Sequence, residues 1–315
     1  MPESQTKRLS TDPAGIAAAA RILADGGLVA FPTETVYGLG ADARDGRAVA
    51  RIFEAKARPS FNPLIVHVAT TEDAARYAIL TPEAERLAQA FWPGALTLVL
   101  PLKPEAGISP LVTAGGGCLA IRVPDHPVAT ALLTAFGGPV AAPSANPSGR
   151  ISPTRADHVL SGLDGRIDAV IDGGQTDVGV ESTIVGFDPE PTLLRAGGVP
   201  AEEIEACLGC ALAAPRPTET PSAPGQLASH YAPAAAVRLH VTEARDDELL
   251  IGFGPVRGEI GLSDSGDLRE AASRLFAALH EADRAGRPIA VAPIPDRGLG
   301  RAINDRLARA AAPRG

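Results

Sequence analysis

Aromatic side chains make up only 4% of this 315-residue chain, which has one Trp and one Met. Its core therefore has to be built from Ala, Val, Leu and Ile. Cysteine is scarce too: Cys118, Cys207 and Cys210 cannot close an even disulfide framework. Cys207-x-x-Cys210 has no second pair, so it reads as two small apolar residues around a helix end rather than a zinc or redox centre. Positive charge is short, with 29 Lys+Arg against 37 Asp+Glu and a net charge of −8. That excludes a strongly basic nucleic-acid binder, although not a local basic patch. Lysine is nearly missing (Lys7, Lys56 and Lys103), and none stands in a G-x-x-x-x-G-K-[ST] phosphate loop. No G-x-S-x-G elbow, H-E-x-x-H helix or EF-hand pattern is present. The longest uncharged stretch, His126 to Gly149, is broken by Pro127, Gly137, Gly138, Pro139, Pro143 and Pro147, so no membrane span is expected. The N-terminal MPESQTKRLS has no apolar centre, which argues against a signal peptide and makes the cytoplasm the expected location.

Hydrophobic residues at 45% and charged residues at 21% describe an ordinary core-forming chain, and its length makes two domains the natural expectation. Short apolar runs predict strands near 27–31, 64–68, 95–100, 119–123, 140–142, 169–171, 183–187 and 192–194. Amphipathic spacing predicts helices over 45–57, 71–78, 82–90, 128–136, 155–160 and 201–208. The mixture indicates an α/β domain over 1–212 with a twisted mixed sheet. Over 213–236 the texture changes: Pro215, Pro217, Pro221, Pro224 and Pro233 mark an extended, semi-rigid linker. Strands near 237–241, 249–252 and 289–292, with helices over 268–282 and 302–311, then predict a small Rossmann-like α/β domain over 237–315. Gly252-Phe-Gly254 is a weak dinucleotide signal, because the third glycine is misplaced and Pro255 blocks a helix start.

Lys56-Ala-Arg58 ends a predicted helix and runs into Pro59-Ser-Phe-Asn62-Pro63. Cations there answer the helix dipole, but they also stand beside a turn where an anion could sit. Lysine is used at this spot in a chain that takes Arg for 26 of its 29 basic residues. Arg122 and Arg195 each close an apolar strand just before a turn, a costly place for an unpaired guanidinium. A structural ion pair satisfies either one alone. The two together with Lys56 and Arg58 suit a polyanion. Ser144, Asn146 and Ser182 offer hydroxyls and an amide at strand ends, as turn formers or as partners of a polar ligand. Neither serine has a base beside it in sequence, which argues against a covalent nucleophile. Thr33 and Thr35 add two hydroxyls after the first strand.

The motifs PTETVYGLG (32–40), KARPSFNPL (56–64), IRVP (121–124), PSANPSG (143–149), ESTIV (181–185) and LLRAG (193–197) are now all in view. In order and spacing they resemble the threonylcarbamoyl-AMP synthase family of YrdC-like proteins. The proline-rich segment with His230-Tyr231-Ala-Pro233, and the tail from 293 onward, resemble the longer members that add a C-terminal domain. The resemblance implies L-threonine, bicarbonate or CO2, and ATP as substrates. Its products would be threonylcarbamoyl-AMP and pyrophosphate, the former passed to a threonylcarbamoyl transferase complex that modifies tRNA. It implies that Thr33, Thr35, His67, Arg122, Ser144 and Ser182 hold threonine. It implies that Lys56, Arg58, Asn62, Cys118, Asn146, Thr154, Arg195 and Tyr231 hold ATP, with Lys56 and Arg58 catalytic. Mg2+ would ride on the phosphates, no protein metal site is expected, and the linker would fold over the active site. Family members often have Thr where this chain has Cys118, so only a backbone contact could remain there. Two alternatives differ in chemistry. A tRNA- or double-stranded-RNA-binding module without catalysis sits badly with the negative charge and few aromatics. A carbamoyl-adenylate-forming enzyme of hydrogenase maturation should carry paired CxxC motifs, which are absent.

Overall fold

The structure, a computed structural model, describes residues 5–59, 62–215 and 231–312. Helix starts follow from short capping signals. Asp12, Asp45, Thr70, Thr81 and Asp267 each turn a side-chain oxygen onto a first-turn amide. Pro13, Pro82 and Pro127 sit in first turns, where no amide is needed.

In chain order the elements are β1 (Lys7–Leu9), α1 (Pro13–Ala24), β2 (Val29–Pro32), β3 (Tyr37–Asp42), α2 (Gly46–Lys56) and β4 (Ile65–His67). Then come α3 (Thr71–Tyr77), α4 (Pro82–Phe91), β5 (Leu96–Pro101), β6 (Cys118–Arg122), α5 (Pro127–Phe136) and β7 (Val140–Ala141). α6 (Ala156–Leu163), β8 (Ala169–Ile171), β9 (Thr183–Gly186), β10 (Thr192–Arg195) and α7 (Ala201–Leu208) complete the first unit. The second unit holds β11 (Val237–Arg238), β12 (Leu249–Gly252), β13 (Ile260–Gly261), α8 (Leu268–Arg284), β14 (Ile289–Val291) and α9 (Leu299–Ala311). Among the described residues, β1 to β10 form one ten-stranded mixed sheet in the order β1-β8-β2-β3-β7-β4-β6-β5-β9-β10. The second sheet has four strands, all parallel, in the order β11-β14-β12-β13.

Coverage of the large sheet is uneven, and that positions the site. One face is packed by helices through Val49, Ile52, Leu87, Val159 and Ile204. On the other face α1 and α5 cover only one end, placing Ile16, Leu23, Val128 and Leu132 against Phe31, Val140 and Ile171. Over β4, β6, β5 and β9 that face keeps a thin strip of Ile65, Ala120 and Ile184, with Val99 and Leu194 beside it. The second unit closes in from the side, its core joined by Val36, Ile151, Val180 and Tyr231 from outside it.

α8 comes so close to Gly179 that a Cβ there would lie 2.4 Å from the Ala272 carbonyl oxygen and 2.5 Å from Ser273 Cα, at a φ of +74°. Gly179→Ala therefore meets backbone rather than a movable side chain. It is expected to cost about 2–4 kcal/mol through left-handed strain plus overpacking. Urea unfolding checks this, and a midpoint equal to that of the parent protein would show that the two units do not meet as described.

Three first-unit elements, β1, α1 and β3, escape the sequence reading. α1 (PAGIAAAARILA) has too little polar contrast for its period to stand out. β3 contains Gly38 and Gly40, poor strand formers, and a Cβ on Gly40 would lie 2.9 Å from both Phe31 and Val140. No helix among the described residues is long and apolar enough to cross a membrane.

Candidate functional site

Strand alternation puts the chemistry on the thinly covered face. His67 and Arg122 are register partners on parallel β4 and β6, and Ile65 and Ala120 are the next pair along the same face. β9 begins just after Ser182 and runs parallel to β5, which brings the Thr97 hydroxyl within 2.7 Å of the Ser182 hydroxyl. Thr33 and Thr35 lie in the turn between β2 and β3, and Ser144 bridges to Gly38 of β3. These groups converge on one cavity. Its walls are Thr33, Thr35, Val36, Gly38, Arg58, Ile65, His67, Arg122, Ala142, Pro143, Ser144, Glu181, Ser182, Arg195 and Tyr231.

Three guanidiniums line this space. Arg122, 3% exposed, donates to the Gly94 carbonyl (3.1 Å) and the Thr35 hydroxyl (2.9 Å). Its Nη2 also lies 2.6 Å from Glu34 Oε1, a charge contact without aligned hydrogen-bond geometry. Arg195 donates to the Ser182 carbonyl and hydroxyl at 2.9 and 3.2 Å, which fixes it against the strand-edge segment. Arg58 donates to the carbonyls of Asn62 (3.4 Å) and Pro63 (3.1 Å). Burial pulls the Arg58 guanidinium down to about 10, and the Arg195 charge pulls the same way, so both cations are held together at a cost that an anion would relieve.

His67 is 3% exposed, and its Nδ1 has no hydrogen-bond partner among the described residues. Burial first, and then the Arg122 charge, push its pKa down to about 3, so the ring is neutral at physiological pH. Most hydroxyls here are already matched: Thr33 with Thr35 at 2.7 Å, and Ser182 with Thr97. His67 Nδ1 is thus a ring nitrogen of the cavity wall without a partner among the described residues.

Five expected residues are not on the wall. Lys56 is 1% exposed, and its Nζ donates to the carbonyls of Ser144 (2.5 Å) and Asn146. Burial and the nearby Arg58 hold that ammonium well below its ordinary range. Lys56 thus holds the 144–146 loop from beneath, where α2 ends, and is not on the cavity wall. Asn146 closes the same loop, donating to the Pro147 and Arg150 carbonyls at 2.9 and 2.8 Å. Thr154 is fully buried, with its hydroxyl 3.4 Å from His158 Nδ1, so it ties a loop to α6 instead of facing the cavity. Cys118 shares the Arg122 face but lies four residues away, about 13 Å at strand spacing. Asn62 is fully buried beside Arg58, and both of its amide atoms lack a partner among the described residues. His230 lies outside the described residues, as does most of the expected linker, while Tyr231 is 1% exposed on the cavity wall.

Sequence reasoning missed Glu34 and Ser152, and it read Glu181 only as a neighbour of Ser182. Glu181 accepts from the Ser152 hydroxyl at 2.5 Å and pairs with Arg306 of α9 at 2.9 Å. Behind Thr154, His158 stacks on His280 of α8 with ring centroids 3.9 Å apart. Burial lowers the first to about 3 and the second to about 4. With His67 this makes three histidines that stay neutral in the fold but take up protons below about 6.5 when unfolded. The stability they confer is complete above that value and is lost as pH falls. Each can remove up to about 1.4 kcal/mol per pH unit. The thermal midpoint should therefore drop steadily from pH 6.5 to 5, and less steeply in His280→Gln. A flat midpoint over that window would contradict these environments.

A profile of the Sua5, YciO and YrdC proteins, described as Telomere recombination, matches residues 21–197. A second, described as Threonylcarbamoyl-AMP synthase, C-terminal domain, matches 199–312. The chain is 44% identical to the threonylcarbamoyl-AMP synthase of Bacillus subtilis, over 97% of this chain and 95% of that one. It is also 44% identical to that of Pyrococcus abyssi, over 93% and 92% of the two chains. The crystal structure of P. abyssi Sua5 complexed with L-threonine superposes with a TM-score of 0.89 at 40% identity, covering 97% of each chain.

Proposed function

The chain belongs to the threonylcarbamoyl-AMP synthase family, and from that premise we propose that the cavity between Arg122 and Arg58 is where threonine and ATP react. The protein is a transferase that makes threonylcarbamoyl-AMP from threonine and ATP for tRNA modification. The placement rests above all on one observation. Among the described residues three guanidiniums line the cavity against one lining carboxylate, Glu181, which also serves Arg306, while Glu34 behind the wall faces Arg122. An anionic substrate balances that excess.

Threonine fits the end formed by Thr33, Thr35, His67, Arg122, Ser144 and Ser182, with its carboxylate toward Arg122 and its hydroxyl donating to His67 Nδ1. ATP fits the other end. Its phosphates meet Arg58 and Arg195, its sugar and base lie along the Ile65, Ala120 and Ile184 strip toward Cys118, and the orphaned Asn62 amide is beside Arg58. Lys56 and Asn146 act one step back, by holding the loop that carries Ser144. Tyr231 covers the nucleotide end as the last part of a linker lid, which excludes water on closure.

The threonine amine adds to CO2 and loses a proton, giving a carbamate. A carbamate oxygen then attacks the α-phosphorus, and pyrophosphate leaves with the bonding pair. No protein group is alkylated or acylated, so the chain contributes position and charge neutralisation. Mg2+ would arrive on the ATP phosphates. The product would pass, in the cytoplasm, to a threonylcarbamoyl transferase complex. With a net charge of −8, direct tRNA binding is the weaker partnership.

The test is incubation with ATP, threonine and 13C-bicarbonate, followed by mass analysis. A threonylcarbamoyl-AMP carrying one 13C is expected. AMP without a labelled adduct would contradict the assignment.

A further inference from the structure

Arg306 is the largest fully buried side chain among the described residues, at 0% exposure, although it belongs to the second unit. It lies on α9, on the same stripe as Ile303 and Ala310. Its guanidinium reaches out of that unit in three directions. Nε donates to Glu181 Oε2 at 2.9 Å, and Nη1 donates to the Ala196 carbonyl at 2.7 Å. The plane lies over the Tyr231 ring, 5.4 Å from its centroid, and Tyr231 in turn rests on Phe276 of α8 at 5.5 Å.

Both anchors, the Glu181 carboxylate and the Ala196 carbonyl, belong to neighbours of site residues. Glu181 precedes Ser182, and Ala196 follows Arg195. The two segments touch: Gly198 donates to the Glu181 carbonyl at 3.0 Å, and a Cβ on Gly197 would lie 2.3 Å from that same oxygen. One guanidinium therefore pins two strand ends and one aromatic ring. Asp305 Oδ2, 2.9 Å from Nη1, adds a second carboxylate that keeps the cation matched. Such a group is expensive to bury and would not be needed merely to dock two apolar surfaces.

We propose that Arg306 is a positioning residue for the reaction: acting through Glu181 and Tyr231, it fixes the wall that carries Ser182 and Arg195, so that the second unit completes the nucleotide end of the site. This rests on the proposed placement of ATP at Arg58 and Arg195. The threonine end keeps five groups that Arg306 does not touch (Thr33, Thr35, His67, Arg122 and Ser144). Loss of Arg306 should accordingly fall on ATP.

The experiment compares the full chain with Arg306→Lys and Arg306→Met, measuring KM for ATP, KM for threonine and the thermal midpoint. The KM for ATP should rise about tenfold or more in both variants, with the KM for threonine within about threefold of the parent. Glu181→Gln should raise the KM for ATP likewise, and the pair of changes should be far less than additive. A purely structural role predicts instead that kcat falls with the folded fraction while both KM values stay put, and that result overturns the proposal. Where Arg306→Met fails to fold, Arg306→Lys decides: a parental KM for ATP overturns the proposal equally. A parent protein that releases no pyrophosphate with threonine would instead defeat the functional reading on which this rests.

Discussion

Arg58→Ala is expected to lower kcat/KM for ATP by about 10²–10³, or roughly 3–4 kcal/mol of transition-state stabilisation, while the folded protein persists. Arg58 stands on the wall at the phosphate end, and burial with Arg195 pulls it down to about 10, still protonated at neutral pH. The nucleotide α-phosphate gains charge as the carbamate oxygen attacks, and the Arg58 guanidinium is prepaid to meet it because its desolvation was met in folding. Its two carbonyl contacts are replaceable by water, so the fold should tolerate the loss. Arg58→Lys should recover only part of the rate, since an ammonium cannot present a planar fork. Pyrophosphate release measured against ATP concentration decides, and activity within threefold of the parent would remove Arg58 from the chemistry. Lys56→Ala should behave differently. With Nζ spent on the Ser144 and Asn146 carbonyls, its loss should loosen the loop and lower stability together with activity.

Threonine should be preferred over valine by about 10- to 150-fold in kcat/KM. The magnitude follows from which cavity groups lack partners. A site with several unpaired hydroxyl-reading groups could discriminate by far more. Here Thr33 already bonds Thr35, and Ser182 bonds Thr97, so valine leaves those pairs intact. What valine fails to satisfy is His67 Nδ1, and one buried unsatisfied acceptor costs about 1–3 kcal/mol. In His67→Phe the preference should shrink to a few-fold or less, with the ring still edge-on to Phe31. Equal rates for valine and threonine in the parent would mean that His67 does not read the hydroxyl.

Much of this was legible in the sequence because strands that bury one face announce their chemistry. Arg122 ends an apolar run, and a guanidinium in that position must have a reason to be there. Arg195 carried the same signal, Arg58 a different one from a helix end beside a turn, and all three meet in the cavity. Lys56 looked identical in sequence and is not, because the difference lies in which loop crosses above the end of α2. That is tertiary information which no local spacing holds. Thr154 and Asn146 are turn residues with partners close in sequence, His158 of α6 and the carbonyls of Pro147 and Arg150, and nothing in that spacing says that they stay off the wall. Arg306 was the detectable omission. Leu299, Ala302, Ile303, Arg306 and Ala310 mark one buried stripe of α9, and a charge on an apolar stripe signals a buried partner. Its partner Glu181, 125 residues away, could not be named from the sequence. β3 was hidden for the opposite reason: Gly38 and Gly40 lower strand propensity, and the need for Gly40 appears only once Phe31 and Val140 are seen against it.

The central claim is that one cavity joins threonine to ATP through carboxylation, with no protein intermediate. Pyrophosphate release from ATP, measured across an amino-acid panel with and without bicarbonate, tests it most directly. The account predicts release that requires bicarbonate and an amino acid, with valine about 10- to 150-fold poorer than threonine in kcat/KM, and that falls about 10²–10³ in Arg58→Ala. Release that proceeds without any amino acid, or that is indifferent to bicarbonate, would contradict it.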